Sequence, residues 1–304
     1  MEQRALRRWR GNVVLLITAL VWGFAFVAQS TAMDYVGPFT FQSVRSILGA
    51  AVLVLYVAVR NFRHSKQWKP GEKRRLVIGG ICCGTMLCIA SCLQQIGIQY
   101  TTVGKAGFIT TMYVLLVPIF GLFLHRRIPA KIWICVVIAA IGLYLLSMSG
   151  SFRLSRGDTF VALCAVCFAV HILVVDHFAA GVDGVELSCV QFLVSGLLAA
   201  LPMAAVEQPT LQVLETAWLP IAYAGVMSCG VGYTLQIVGQ RYAEPTTATL
   251  IMSLESVFAV VGGILLLHQI PTPREAVGCL LMFAAVIYAQ LPTRPRKKEK
   301  SHEE

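Results

Sequence analysis

Charge is scarce in this chain. Asp, Glu, Lys and Arg together make up 13% of its 304 residues, with 15 acids against 25 bases. A soluble domain carries about a quarter, so a water-soluble fold is excluded. Long polar segments are also missing. The stretches between apolar runs are no longer than a single helix, which leaves no room for a soluble domain. There is no His-Glu-x-x-His, no Gly-x-Ser-x-Gly and no P-loop. Zinc hydrolysis, nucleophile-elbow hydrolysis and nucleotide-driven work therefore lose their usual sequence support. No ATP-binding domain is fused, so the chain has no ATPase of its own. Short alternating strands, the mark of a membrane barrel, do not occur.

What is present is apolar length. Hydrophobic residues make up 57% of the chain, and its mean hydropathy is +0.72. Crossing a bilayer core of about 30 Å takes about 20 apolar residues as helix, and helices satisfy their own backbone in lipid. Ten segments qualify: Asn12–Met33, Phe39–Val59, Leu76–Ile98, Val103–Leu124, Ile132–Ser149, Thr159–Val175, Leu187–Val206, Trp218–Gly239, Thr247–Leu267 and Ala276–Leu291. The Arg-rich start followed by an apolar run looks like a signal peptide. The run is too long for one and reads as an uncleaved first helix.

The net charge of +10 is not a nucleic-acid footprint, because the bases fall in alternate loops. With the N-terminus inside, twenty bases lie on the inner side and three, Arg153, Arg156 and Arg274, on the outer. That bias predicts cytoplasmic termini in a bacterial plasma membrane. All ten cysteines lie within spans, including the Cys164-x-x-Cys167 pair, and read as small buried hydrophobes.

The pattern is written twice. Leu93-Gln94, Gly97, Tyr100, Ala106, Ile109, Gly121, Leu124 and Ile128-Pro129 recur 142 residues later as Leu235-Gln236, Gly239, Tyr242, Ala248, Ile251, Gly263, Leu266 and Ile270-Pro271. Each copy holds five spans. An odd number forces the second copy to sit inverted, as in transporters that rock about a midplane site. The expected organisation is a five-helix repeat over 1–150, an inverted one over 151–292 and a charged cytoplasmic tail over 293–304. The fold class is all-α integral membrane, with ten transmembrane helices.

Polar groups inside spans are costly and need a partner, water or a function. Glu255 lies mid-span, with Tyr113 as its repeat mate. Arg45 is too deep to snorkel easily, and its mate is Gln191 at an offset of 146. Gln94 and Gln236 are equivalent, as are Thr111 and Ser253. His171 is mid-span, and Trp22 and Tyr113 can wall a cavity. Two readings stand for each of these. They line a substrate site, where Glu255 binds amino groups or carries a proton; or they fasten helices together. Pro118, Pro202 and Pro220 are candidate bends. Asp176, His177 and Glu244 read as solvated on the inner face.

Several ordered features resemble the drug/metabolite transporter superfamily, specifically its ten-helix carriers with two EamA-type domains. They are Trp22-Gly23, Arg45, the run Thr111-Met112-Tyr113-Val114-Leu115-Leu116-Val117-Pro118, the run Leu254-Glu255-Ser256-Val257-Phe258-Ala259, and Pro271-Thr272-Pro273-Arg274. One departure is His268-Gln269, where the family often has Gly-Glu. The resemblance implies a carrier that mostly exports small polar metabolites such as amino acids. It would need no cofactor or metal, act on a small-molecule substrate in a lipid bilayer and draw on a proton or sodium gradient. The other class left open is a non-transport membrane protein: an embedded enzyme, a receptor or a structural protein.

Overall fold

The computed structural model describes residues 2–63, 68–101, 103–147, 155–267 and 271–291. Among them every regular element is helical. The first half holds α1 (Glu2–Ala32), α2 (Pro38–Arg63), α3 (Glu72–Ile98), α4 (Val103–Thr111), α5 (Tyr113–Phe123) and α6 (Ala130–Ser147). The second holds α7 (Arg156–Ala179), α8 (Gly184–Pro202), α9 (Leu211–Thr216), α10 (Trp218–Ala222), α11 (Tyr233–Gln240), α12 (Pro245–Met252), α13 (Glu255–Leu267) and α14 (Pro273–Gln290). Eight helical stretches are long and apolar enough to span a membrane. The fifth and tenth expected spans fall on α6 and α14, which have 18 residues each and lie outside that class. The His268-Gln269 departure, residues 151–154 of the expected outer loop and the tail from residue 293 lie outside the described residues.

Four expected spans are not uniform α-helix. After Pro202 the chain runs as a π-helical turn, Met203–Glu207. Three residues after Pro220 a ten-residue π stretch, Tyr223–Gly232, joins α10 to α11. Proline has no N–H to close the ordinary helical bond, which permits such a register shift. The fourth and ninth spans are broken midway, α4 from α5 at Met112 and α12 from α13 at Ser253-Leu254. Met112 and Leu254 are repeat mates.

The packing repeats under exchange of the halves. α3 packs on α7 and α8, while the π stretch and α11 pack on α1, and the π stretch packs on α2. α7 packs on α4 and α5 just as α1 packs on α12 and α13. Two mate pairs, α2 with α8 and α6 with α14, pack directly on each other. Both run antiparallel. The Ser43 hydroxyl donates to Gly196 O at 3.0 Å near one end of the α2–α8 pair, and Arg60 meets Glu186 at 2.8 Å near the other. Lys131 donates to Ala289 O at 3.3 Å, whereas Arg274 lies over Tyr144. Mates that run antiparallel require a two-fold axis across the helices, so the repeat is inverted.

Glycine sets the closest crossings. Gly157 has no room for a Cβ against Gly97 O and Tyr100, and Gly11 has none against Gly239 O and Tyr242. These are one contact made twice, since Gly97 and Tyr100 are the mates of Gly239 and Tyr242.

One end of the bundle gathers arginines from the loops assigned to the inner side. Arg75 and Arg241 donate to carbonyls at the end of α7, with Arg241 Nε to Ala179 O at 2.8 Å. Cations suit a helix C-terminus. Arg126 pairs with Asp176 at 2.7 Å, so Asp176 is a bridged carboxylate rather than a freely solvated one.

Candidate functional site

Glu255 opens α13, directly after the break, and is 4% exposed. Its Oε1 accepts from the Tyr113 hydroxyl at 2.9 Å and the Thr111 hydroxyl at 3.3 Å. Tyr113 opens α5 after the matching break. The two repeat mates therefore touch each other, and the two broken helices meet at the axis of the inverted repeat. A carboxylate in the first turn of a helix also sits at the favourable end of its dipole. Such half-helix ends at midplane are where carriers built on inverted repeats hold ligands.

The breaks have a local cause. Thr111 Oγ1 shares its one proton between Gly107 O, at 2.8 Å, and the longer contact to Glu255, and Ser253 Oγ donates to Leu250 O at 2.8 Å. Hydroxyls that bond carbonyls three or four residues back compete with the helix and bend it. The following amides tighten to i−3 bonds, Met112 N to Ile109 O at 3.2 Å and Leu254 N to Ile251 O at 3.2 Å.

Arg45 is 4% exposed on α2. Its Nε and Nη2 both donate to Gln42 Oε1, at 2.9 and 2.6 Å, and the guanidinium lies over Phe41. Gln42 donates onward to Ser195 on α8 at 2.9 Å. A neutral amide thus orients the cation without cancelling its charge.

Arg45 and Glu255 line one small void of about 40 Å³, with Trp22, Gln94, Tyr113, His171 and Gln236. It has room for about three waters. The two charged groups make no ion pair with each other in the described structure; each is held by neutral neighbours. Trp22 stacks against Tyr233 at 4.6 Å between centroids. Gln94 donates to Thr110 at 3.2 Å.

Three candidates fall outside the lining. Ser253 spends its hydroxyl on Leu250 O. Thr111 sits behind Glu255, bonded to it and 3.1 Å from the Ser256 hydroxyl. Gln191 stands behind His171, its Oε1 3.2 Å from His171 Nε2. Side-chain direction, which periodicity does not carry, decides all three. Gln29, Thr110, Ser228 and Tyr233 line the void and were not anticipated. Gln29 carried a usable signal, being polar within the first span and two helical turns beyond Trp22.

A second, larger cavity of about 860 Å³ opens at the arginine-rich end, between α1, the α5–α6 loop, α12 and α14. Arg126, Arg127, Lys131 and Glu244 border it, and Ile251 marks its depth next to the α12 break. Its ionisable groups lie in the α5–α6 loop, at the start of α6 and just before α12, and it is called the vestibule below. At the opposite end, Thr101 donates to Asp158 at 2.5 Å and Arg156 lies over Tyr100, tying the end of α3 to the start of α7.

The sequence matches the EamA-like transporter family model twice, over residues 9–148 and 155–289. An uncharacterized transporter of Archaeoglobus fulgidus is 27% identical, over 94% of this chain and 87% of its own length. The threonine/homoserine exporter RhtA of Escherichia coli is 26% identical, over 98% of this chain and 97% of its own. A solved crystal structure shares the fold with a TM-score of 0.76 at 18% identity, covering 92% of this chain and 96% of that one. Two family matches that together span most of the sequence, laid over an inverted helical repeat, establish that this chain belongs to the EamA-like transporter family and is a multi-pass membrane transporter.

Proposed function

We propose that the chain is a secondary carrier that exports small zwitterionic amino acids by alternating access. The observation that carries this reading is the shared void. A buried guanidinium and a buried carboxylate border it, oriented by neutral groups and left unpaired with each other. Arg45 takes the substrate carboxylate, for which a guanidinium is the natural partner. Glu255 takes the ammonium group, or a proton when the site is empty. The exporter RhtA, similar over nearly the whole chain, supports the direction and the substrate class. Both termini face the cytoplasm in this reading, and the vestibule opens inward.

The test is counterflow in proteoliposomes. Vesicles preloaded with unlabelled L-threonine, L-homoserine or a mixed amino-acid pool should concentrate the labelled compound, with saturation. No flux with any of them sinks the proposal. Orientation has its own check. Alkaline phosphatase fused after residue 154 should be active and fused after residue 69 inactive; the reverse pattern overturns the inward-open reading.

A further inference from the structure

A buried arginine cannot shed its charge, because a guanidinium keeps its proton in proteins. Arg45 is such a group, and the side chain that holds it is neutral. Gln42 lies one helical turn before it on α2 and is 1% exposed. A guanidinium has only donors, so the amide must turn its oxygen toward Arg45. Gln42 Oε1 takes Nε at 2.9 Å and Nη2 at 2.6 Å, which occupies one edge of the guanidinium. The remaining N–H groups of Arg45 make no hydrogen bond in the described structure. The amide nitrogen is fixed in turn, donating to Ser46 Oγ at 3.1 Å and to Ser195 Oγ at 2.9 Å. Ser195 belongs to α8, so the chain of bonds from Arg45 crosses between the repeats.

A buried ion with only neutral neighbours is costly. Gln42 orients the guanidinium but leaves its charge for another group to meet. Resting on the proposed reading of Arg45 as the partner of the substrate carboxylate, we propose that Gln42 is a positioning and specificity-determining residue. It holds Arg45 ready for an anion, and its neutrality makes a carboxylate obligatory in the substrate. A glutamate at this place would fit the same space and take the same two N–H bonds. Ser46 and Ser195 could turn their protons toward it, since a hydroxyl both donates and accepts. The difference is charge alone. In Gln42→Glu the guanidinium is neutralised before a ligand arrives, while Glu255 still lines the void. The preference then turns from zwitterions to cations.

The test compares two ligands of nearly equal size by calorimetry on purified full-length protein. L-Alanine carries a carboxylate; L-alaninamide has a neutral amide in its place. Wild-type protein should bind L-alanine at least about ten-fold more tightly, the effect of one charge-assisted pair. In Gln42→Glu that ratio should fall to one or below. Gln42→Leu keeps the charge of Arg45 and loses its orientation, so its ratio should lie between those two. A residue that merely packs α2 against α8 would weaken both ligands alike. A ratio that stays at the wild-type value in Gln42→Glu therefore overturns the role of Gln42 and leaves Arg45 on the substrate carboxylate. Should Gln42→Glu not fold, an unchanged ratio in Gln42→Leu overturns it equally. A wild-type ratio of one, or no binding of either ligand, removes Arg45 from the substrate carboxylate, and the inference falls with that reading.

Discussion

Glu255 and Tyr113 show how much one residue position can mean in an inverted repeat. They are the same site in the two halves, yet one is a carboxylate and the other its hydrogen-bond donor at 2.9 Å. Identical residues there could not make that pair. Replacing Glu255 by Gln keeps shape and hydrogen-bonding capacity but deletes the charge. The variant should insert at wild-type abundance and lose at least ten-fold in counterflow, since a hydrogen bond to a charged group contributes about 1.5–3 kcal/mol. Wild-type flux at matched membrane levels would remove Glu255 from the site. Arg45 and Glu255 stood out in the sequence because ionisable groups deep in a span are expensive. Ser253, Thr111 and Gln191 show the limit. Their depth was legible, but whether a hydroxyl turns toward the void or back onto its own helix depends on a rotamer, which sequence spacing does not encode.

Elements follow the same division. The long spans were legible because apolar length is the dominant signal in lipid. The breaks at Met112 and Ser253-Leu254 were not, because the apolar runs continue through them and neither contains a proline or a glycine. Helix starts outside the membrane are better marked. Asp183 caps α8, accepting from Val185 N at 3.0 Å and Glu186 N at 3.1 Å, and it pairs with Arg60 at 3.1 Å. Burial pushes its carboxyl up, but these backbone amides and the guanidinium outweigh burial and hold it below the usual carboxylate range. A depressed value means that the stabilisation is present above the unfolded pKa and is lost as pH falls through the folded one. Asp183→Asn keeps a competent cap and removes only the charge, so it should cost at most about 1 kcal/mol and flatten the acid limb of thermal stability. Asp183→Ala removes the cap as well and should cost roughly 1 kcal/mol more. Thermal unfolding in detergent across acidic pH measures both, and equal losses in the two variants would deny the cap any role.

The two-fold relation also shows where the whole molecule departs from symmetry. At one end Thr101 and Asp158 tie α3 to α7 at 2.5 Å. Their mates at the other end are Ala243 and Asn12. Alanine has no hydroxyl to donate, so the tie cannot be repeated there. That is the end where the vestibule of about 860 Å³ stands open, with Asn12 in its wall. Gly11 and Gly157 make the same close crossing at the two ends, so these glycine contacts do not distinguish the ends, whereas the side-chain tie does. Installing the missing tie as the double variant Ala243→Thr with Asn12→Asp should favour the state closed at the vestibule. One hydrogen bond to a carboxylate contributes about 1.5–3 kcal/mol, enough to move a two-state ratio by roughly ten-fold or more. Spin labels at positions 127 and 244, both in the lining of the vestibule, should report a shorter distance by double electron–electron resonance in the double variant. Thr101→Val, which loosens the opposite end, should not shorten it. An unchanged distance distribution in the double variant would show that the opening of the vestibule is set by something other than the Thr101–Asp158 tie, leaving the unequal helices, the π stretch at Tyr223–Gly232 against the regular α3, as its source.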